Sequence, residues 1–106
     1  MTLEKLLLTG AAGALGKVLR ESLKPYTRTL RLSDKAAMEP ARENEEVIEC
    51  DLADKQAVDG LVRGCDAIVH LGGVSVERPF EEILDANIRG LFHVYEGARR
   101  HGVKRI

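Results

Sequence analysis

The sequence predicts an α/β fold: half of a doubly wound parallel sheet, about four strands in the order 3-2-1-4, with helices on its faces. Two observations carry this expectation. Short strand signals alternate with helical ones, the pattern that lays helices over a parallel sheet. The first strand signal is also a run of consecutive leucines, Leu6 to Leu8, which suits a central strand buried on both sides.

The elements follow in order. Lys5 to Thr9 reads as strand one, and a glycine-rich turn then leads into a helix with Leu15, Val18, Leu19 and Leu23 at helical spacing, ended by Pro25. Arg28 to Ser33 is a half-covered strand with Leu30 and Leu32 on one face and Arg31 on the other. Lys35 to Glu46 is charged, non-periodic and broken by Pro40, so it is expected to be an exposed connection. Val47 to Cys50 makes strand three. Asp51 and Asp54 then offer N-cap carboxylates to a helix carrying Val58, Leu61 and Val62. Ala67 to Leu71 is strand four, and Gly72-Gly73 opens a loop that ends near Pro79, a suitable first helical residue. In the last helix Leu84, Ile88, Leu91, Tyr95 and Ala98 form one expected stripe. Arg99, Arg100 and His101 complement its dipole, and Gly102 is placed to cap it. Val103 to Ile106 reads as the start of a fifth strand, so residues 1–106 are expected to be a half-domain cut at that strand.

The chain has 106 residues, 44% hydrophobic and 31% charged, enough for one folded domain with one modest core. Its 16 basic and 17 acidic residues are scattered, so no basic stripe offers itself to nucleic acid or anionic lipid. The apolar runs are only strand-length, and the first eight residues lack the features of a signal peptide; a cytoplasmic protein without a membrane partner is expected. Cys50 and Cys65 stand outside any C-x-x-C spacing and read as reduced, buried thiols. His70, His93 and His101 form no ligand set, so no metal is expected. No repeat or low-complexity segment is present.

The segment T-G-A-A-G-A-L-G, Thr9 to Gly16, lies between the buried strand and the first amphipathic helix. In that context Gly10 can turn the chain off the strand, Gly13 can admit a pyrophosphate to the backbone, and Gly16 can bring helix and sheet together. The amides of the first helical turn, at Ala14, Leu15 and Gly16, then face the phosphates. The spacing is G-x-x-G-x-x-G rather than G-x-G-x-x-G, and glycines also serve ordinary turns. Asp34 adds weight. It falls at the end of strand two, where a carboxylate accepts hydrogen bonds from the adenosine ribose, although aspartate is also common in solvated turns. Its charge favours NAD over NADP, and Lys35 beside it tempers that preference.

These residues, with C-D-L-A-D at Cys50 to Asp54 and H-L-G-G at His70 to Gly73, resemble the extended short-chain dehydrogenase/reductases, a Rossmann-like family. The stretches H-L-G-G-V-S-V-E-R-P-F and D-A-N-I-R-G-L-F-H-V-Y-E look specifically like the bacterial uronate dehydrogenases, and the resemblance spans the whole chain. It implies that Asp51 and Leu52 contact the adenine, that Leu71, Gly72 and Gly73 line the pocket beside the nicotinamide ribose, that Asn87 sits near the cofactor, and that Ser75 touches the sugar acid. Each has a plain alternative: Asp51 as a helix cap, the glycines as a turn, Ser75 as a solvated loop residue, Asn87 bonded to a nearby carbonyl.

The same resemblance implies a catalytic serine and a Tyr-x-x-x-Lys pair, and this sequence has neither in place. Its two tyrosines, Tyr26 and Tyr95, are followed four residues on by Leu30 and Arg99. No catalytic residue is therefore assigned, and the chain is expected to bind NAD without turning over a uronate. Two other readings stay open: a piece of a nucleotide-sugar epimerase or dehydratase, and a self-associating half-fold with little cofactor affinity. Homo-oligomerisation through the edge of strand four and the last helix is expected in any case.

Overall fold

In the computed structural model, which describes residues 2–73 and 77–106, four parallel strands form one sheet in the order β3-β2-β1-β4. The elements are β1 (Leu3–Thr9), α1 (Ala14–Ser22), β2 (Thr27–Asp34), β3 (Glu45–Glu49), α2 (Lys55–Val62), β4 (Ala67–His70), α3 (Phe80–Ile83), a π-helical segment (Leu84–Arg89) and α4 (Gly90–His101). The expected alternation and strand order both hold.

β1 is the central strand because its leucines serve two cores. Leu6 and Leu8 pair in register with Leu30 and Leu32 of β2 and pack with them on the face covered by Leu19 of α1 and by Leu23, which caps it. Leu7 points the other way, into a cluster with Ile68, with Val58, Leu61 and Val62 of α2 and with Val94 and Ala98 of α4. Leu7 and Leu8 are fully buried, as expected for a strand with a helix layer on each side. Arg31 also points toward α2. Its guanidinium donates to the carbonyl oxygens of Leu61 (2.6 Å) and Arg63 (3.0 Å), satisfying the negative end of that helix.

The structure departs from the sequence expectations at β3 and on the buried faces of two helices. β3 begins at Glu45, so the exposed connection ends earlier than Glu46. Glu45 is buried there, 2.7 Å from Arg20 of α1, and that ion pair ties the connection to the helix. On α1 the buried face runs through Gly16 and Arg20, with Leu19 and Leu23 half-buried, whereas Leu15 and Val18 are 58% and 62% exposed.

The last helix also buries a different face from the expected one. Its buried residues are Gly90, Val94, Gly97 and Ala98, while Ile88, Leu91 and Tyr95 are exposed. The face actually used sits about one residue away from the expected stripe, beyond a π-helical segment that breaks the α-helical phase. Small residues decide the contact: a Cβ at Gly90 would lie 2.8 Å from Leu52, and one at Gly97 would lie 2.6 Å from Val62. Gly102 ends α4 in the left-handed conformation, as expected, with φ 70°. Beyond it Arg105 makes one parallel bridge to Ala67, with the Ile68 amide donating to the Arg105 carbonyl at 2.9 Å. One position of the β4 edge is thereby covered.

Candidate functional site

The carboxyl ends of the four strands open into a cavity of about 730 Å³. Its walls are the residues that end or follow each strand: Thr9 at the end of β1 with Gly10 and Gly13 after it, Asp34 at the end of β2 with Lys35 after it, Cys50 to Ala53 after β3, and Leu71 to Gly73 after β4. Glu82, Asp85, Ala86 and Asn87 also line it. This is where doubly wound sheets hold ligands.

The glycines divide by what surrounds them. Gly10 has φ 72°, and any Cβ there would lie 2.7 Å from the Leu71 carbonyl carbon. A Cβ at Gly16 would run into the Gly10 carbonyl oxygen and the Ala11 backbone. These two let β1, β4 and α1 converge. Gly13 differs, since its nearest neighbour would be the Gly10 oxygen at 3.4 Å, leaving the position open to the cavity. Gly13 is also the N-cap of α1, and among the described residues no side chain caps that helix. The amides of Ala14, Leu15 and Gly16 therefore have no partner within the helix, and the positive end of the helix dipole adds to them. An anion approaching Gly13 would meet all of these.

Asp34 braces this turn. Its Oδ2 accepts from the Ala12 amide at 3.0 Å and its Oδ1 from the Ala36 amide at 2.9 Å. Each carboxylate oxygen keeps a further acceptor site, so a diol can still be bound. Of the two carboxylates expected to cap α2, Asp54 does so, accepting from the Ala57 amide at 3.1 Å. Asp51 instead closes a turn with the Ala53 amide through Oδ1 (3.0 Å), and its Oδ2 lies 3.6 Å from Lys35 Nζ. Leu52 is half-buried against Gly72 and Gly90, and its carbonyl lies 2.8 Å from His93 Nδ1.

A second brace joins β1 to β4. The buried hydroxyl of Thr9 accepts from the amides of Leu71 and Gly72, both at 3.0 Å, and lies 2.6 Å from His70 Nδ1. Two amides fill its acceptor sites, so its one proton goes to Nδ1, and the neutral His70 ring carries its own proton on Nε2. Burial lowers the His70 pKa, in keeping with a neutral ring.

Gly10, Gly13, Asp34, Asp51, Leu52, Leu71, Gly72, Gly73 and Asn87 all line the cavity. Asn87 lies in the π-helical segment, with Oδ1 where a side chain on Gly73 would have to go. Ala14, Leu15 and Gly16 are not part of the lining. The first two have exposed side chains on the first turn of α1, and Gly16 is buried. Ser75 lies outside the described residues. Thr9, His70, Glu82 and Asp85 were not among the residues expected here; a hydroxyl residue directly before the turn and a histidine directly before Leu71 were the available signals.

A glycine turn, an uncapped helix start and a carboxylate ending the second strand, gathered at the carboxyl edge of a 3-2-1-4 sheet, define the class: a Rossmann-like α/β protein. The chain belongs to the NAD dependent epimerase/dehydratase family, whose model matches residues 6–106. Within it, the chain is 72% identical over 103 residues to a uronate dehydrogenase of Pseudomonas syringae pv. tomato, covering 96% of this chain and 38% of that protein. It superposes with a TM-score of 0.91 on a uronate dehydrogenase variant from Agrobacterium tumefaciens complexed with NAD, at 58% identity, covering 93% of this chain and 37% of the other. The score is 0.92 for a glucuronic acid dehydrogenase from Chromohalobacter salexigens, at 51% identity, covering 95% and 38%. The chain thus spans under two fifths of the length of these relatives.

Proposed function

We propose that this chain is the NAD-binding half of an NAD-dependent uronate dehydrogenase, whose complete form oxidises the anomeric carbon of a hexuronic acid to an aldarolactone. The observation that carries this reading is the Asp34-braced glycine turn facing the cavity. The open Cβ position at Gly13 and the uncapped start of α1 fit a diphosphate, and the free acceptor sites of Asp34 fit a ribose. The 72% identity to a uronate dehydrogenase favours that substrate class over a nucleotide sugar.

When bound, NAD accepts the hydride. The chain's own residues bind and orient it: the first-turn amides of α1 hold the diphosphate, Asp34 accepts from the adenosine ribose, Asp51 and Leu52 border the adenine, and Leu71 to Gly73 with Asn87 border the nicotinamide end. Ser75 is assigned to the sugar acid. No residue here supplies the acid or base, since neither Tyr26 nor Tyr95 is followed four residues on by lysine, so the chain alone binds cofactor without turnover. Calorimetric titration with NAD, compared with Gly13→Trp, tests this. Absence of binding to the unmodified chain refutes the reading.

Its second partner is another copy of itself. Ile88, Phe92 and Tyr95 recur at helical spacing and are 56%, 60% and 53% exposed, while among the described residues most of the β4 edge beyond the Arg105 bridge carries no neighbouring strand. Burying ~400 Å² of apolar surface offers about 10 kcal/mol to set against the costs of association.

A further inference from the structure

At the mouth of the cavity the ends of β2 and β3 are joined by one ion pair. Lys35 directly follows Asp34, yet its ammonium lies 3.6 Å from Asp51 Oδ2, with both residues lining the cavity. The Asp51 carboxylate is held in place because its other oxygen accepts from the Ala53 amide. Lys35 is therefore drawn toward the β3 end.

We propose that Asp51 is a specificity-determining residue, which disfavours a 2′-phosphorylated dinucleotide by withholding Lys35 from it. This inference rests on the reading of the cavity as a dinucleotide site. The 2′-position of an adenosine ribose bound by Asp34 carries a hydroxyl in NAD and a phosphate in NADP. The phosphate meets the Asp34 charge and needs a cation to offset it. Lys35 is next in sequence and long enough to turn toward it, but it must first leave Asp51. Discrimination then has two parts, repulsion by Asp34 and sequestration of Lys35 by Asp51. The second part is modest, because the Lys35 and Asp51 side chains are 79% and 50% exposed and exposed pairs are weak and screened by salt.

The test is a set of calorimetric titrations of the full chain with NAD and with NADP at low ionic strength. Asp51→Asn keeps an acceptor for the Ala53 amide while removing the charge. It should raise NADP affinity relative to NAD by about two- to fivefold, the range an exposed pair allows, and added salt should shrink the gain. In a Lys35→Ala background Asp51→Asn should give no gain, and Lys35→Ala should lower NADP affinity less in the unmodified chain than in the Asp51→Asn chain. A gain that persists without Lys35 would mean that Asp51 acts directly on the phosphate, and would overturn the proposal. So would an unchanged ratio in Asp51→Asn, or a loss of NADP affinity on Lys35→Ala that is as large in the unmodified chain as in the Asp51→Asn chain. If neither dinucleotide binds the unmodified chain, the dinucleotide reading falls and takes this inference with it; if NAD binds and the ratio does not move, only the inference falls.

Discussion

The hydroxyl of Thr9 lies 2.6 Å from Nδ1 of His70 and at the same time accepts from the amides of Leu71 and Gly72. One side chain thereby fixes a histidine tautomer and the stretch of backbone that borders the cavity. Thr9→Val keeps the shape and removes these bonds, stranding buried polar groups, and is expected to cost about 2 kcal/mol or more; urea denaturation measures it. Nitrogen NMR should find the His70 proton on Nε2, with the ring titrating below its ordinary value of 6.5. Because the folded state disfavours the imidazolium, His70 contributes stability above pH 6.5 that declines as the pH falls toward its folded pKa.

Gly13 and Gly16 should separate binding from folding. A Cβ at Gly13 meets nothing closer than 3.4 Å, and the residue has ordinary extended geometry (φ −74°, ψ 171°), so Gly13→Ala should cost under about 1 kcal/mol yet weaken NAD binding. Gly16→Ala drives a methyl into the Gly10 carbonyl and should destabilise the fold by about 1–3 kcal/mol. Thermal melts paired with NAD titrations on both variants check this. A Gly13→Ala chain that binds NAD as well as the parent would remove Gly13 from the site.

Glu45 makes the fold acid-sensitive. Burial works to raise its pKa, but hydrogen bonds from the Arg20 side chain and the Arg42 amide outweigh that and bring it down from 4.5 to about 2. A carboxyl depressed in the folded state stabilises it fully above pH 4.5 and loses that contribution as the pH falls to about 2, an effect on the order of 3 kcal/mol. Glu45→Gln leaves the buried Arg20 charge uncompensated and should cost about 3–5 kcal/mol at pH 7, with a shallower loss on acidification. Urea midpoints between pH 7 and pH 2 measure both.

Asp34 should set the preference for NAD. Asp34→Ala removes the carboxylate that braces the Ala12 and Ala36 amides and is expected to narrow the gap between NAD and NADP affinities, mainly by weakening NAD. With galacturonate or glucuronate and NAD, the unmodified chain should produce no NADH above a protein-free control. Turnover abolished by Gly13→Trp would place the acid or base within these residues after all.

The exposed stripe on α4 should report on self-association. Light scattering over a concentration series is expected to show a mass above the 11.7 kDa monomer, and Phe92→Glu should shift the chain toward that monomer. Phe92 is 60% exposed, so this change leaves the core intact. A monomeric mass at high concentration in the unmodified chain would refute the dimer.

The strand order, the central place of β1, the glycine turn and Asp34 were legible in the sequence. The last three are local signals: consecutive leucines, a turn chemistry, a carboxylate at a strand end. The Gly102 cap was legible for the same reason, since only a residue tolerant of φ 70° ends α4 that way. The buried faces of α1 and α4 were not. Periodicity counts large apolar side chains, whereas α4 docks through Gly90 and Gly97, where the absence of a side chain makes the contact, and α1 buries Arg20, which a buried carboxylate on β3 makes tolerable. The Thr9 to His70 brace and the Lys35 to Asp51 pair join residues 61 and 16 positions apart. Such pairings are decided only once the strands lie side by side, because hydrogen bonds and ion pairs act over a few ångströms and the sequence alone does not bring their partners within that range.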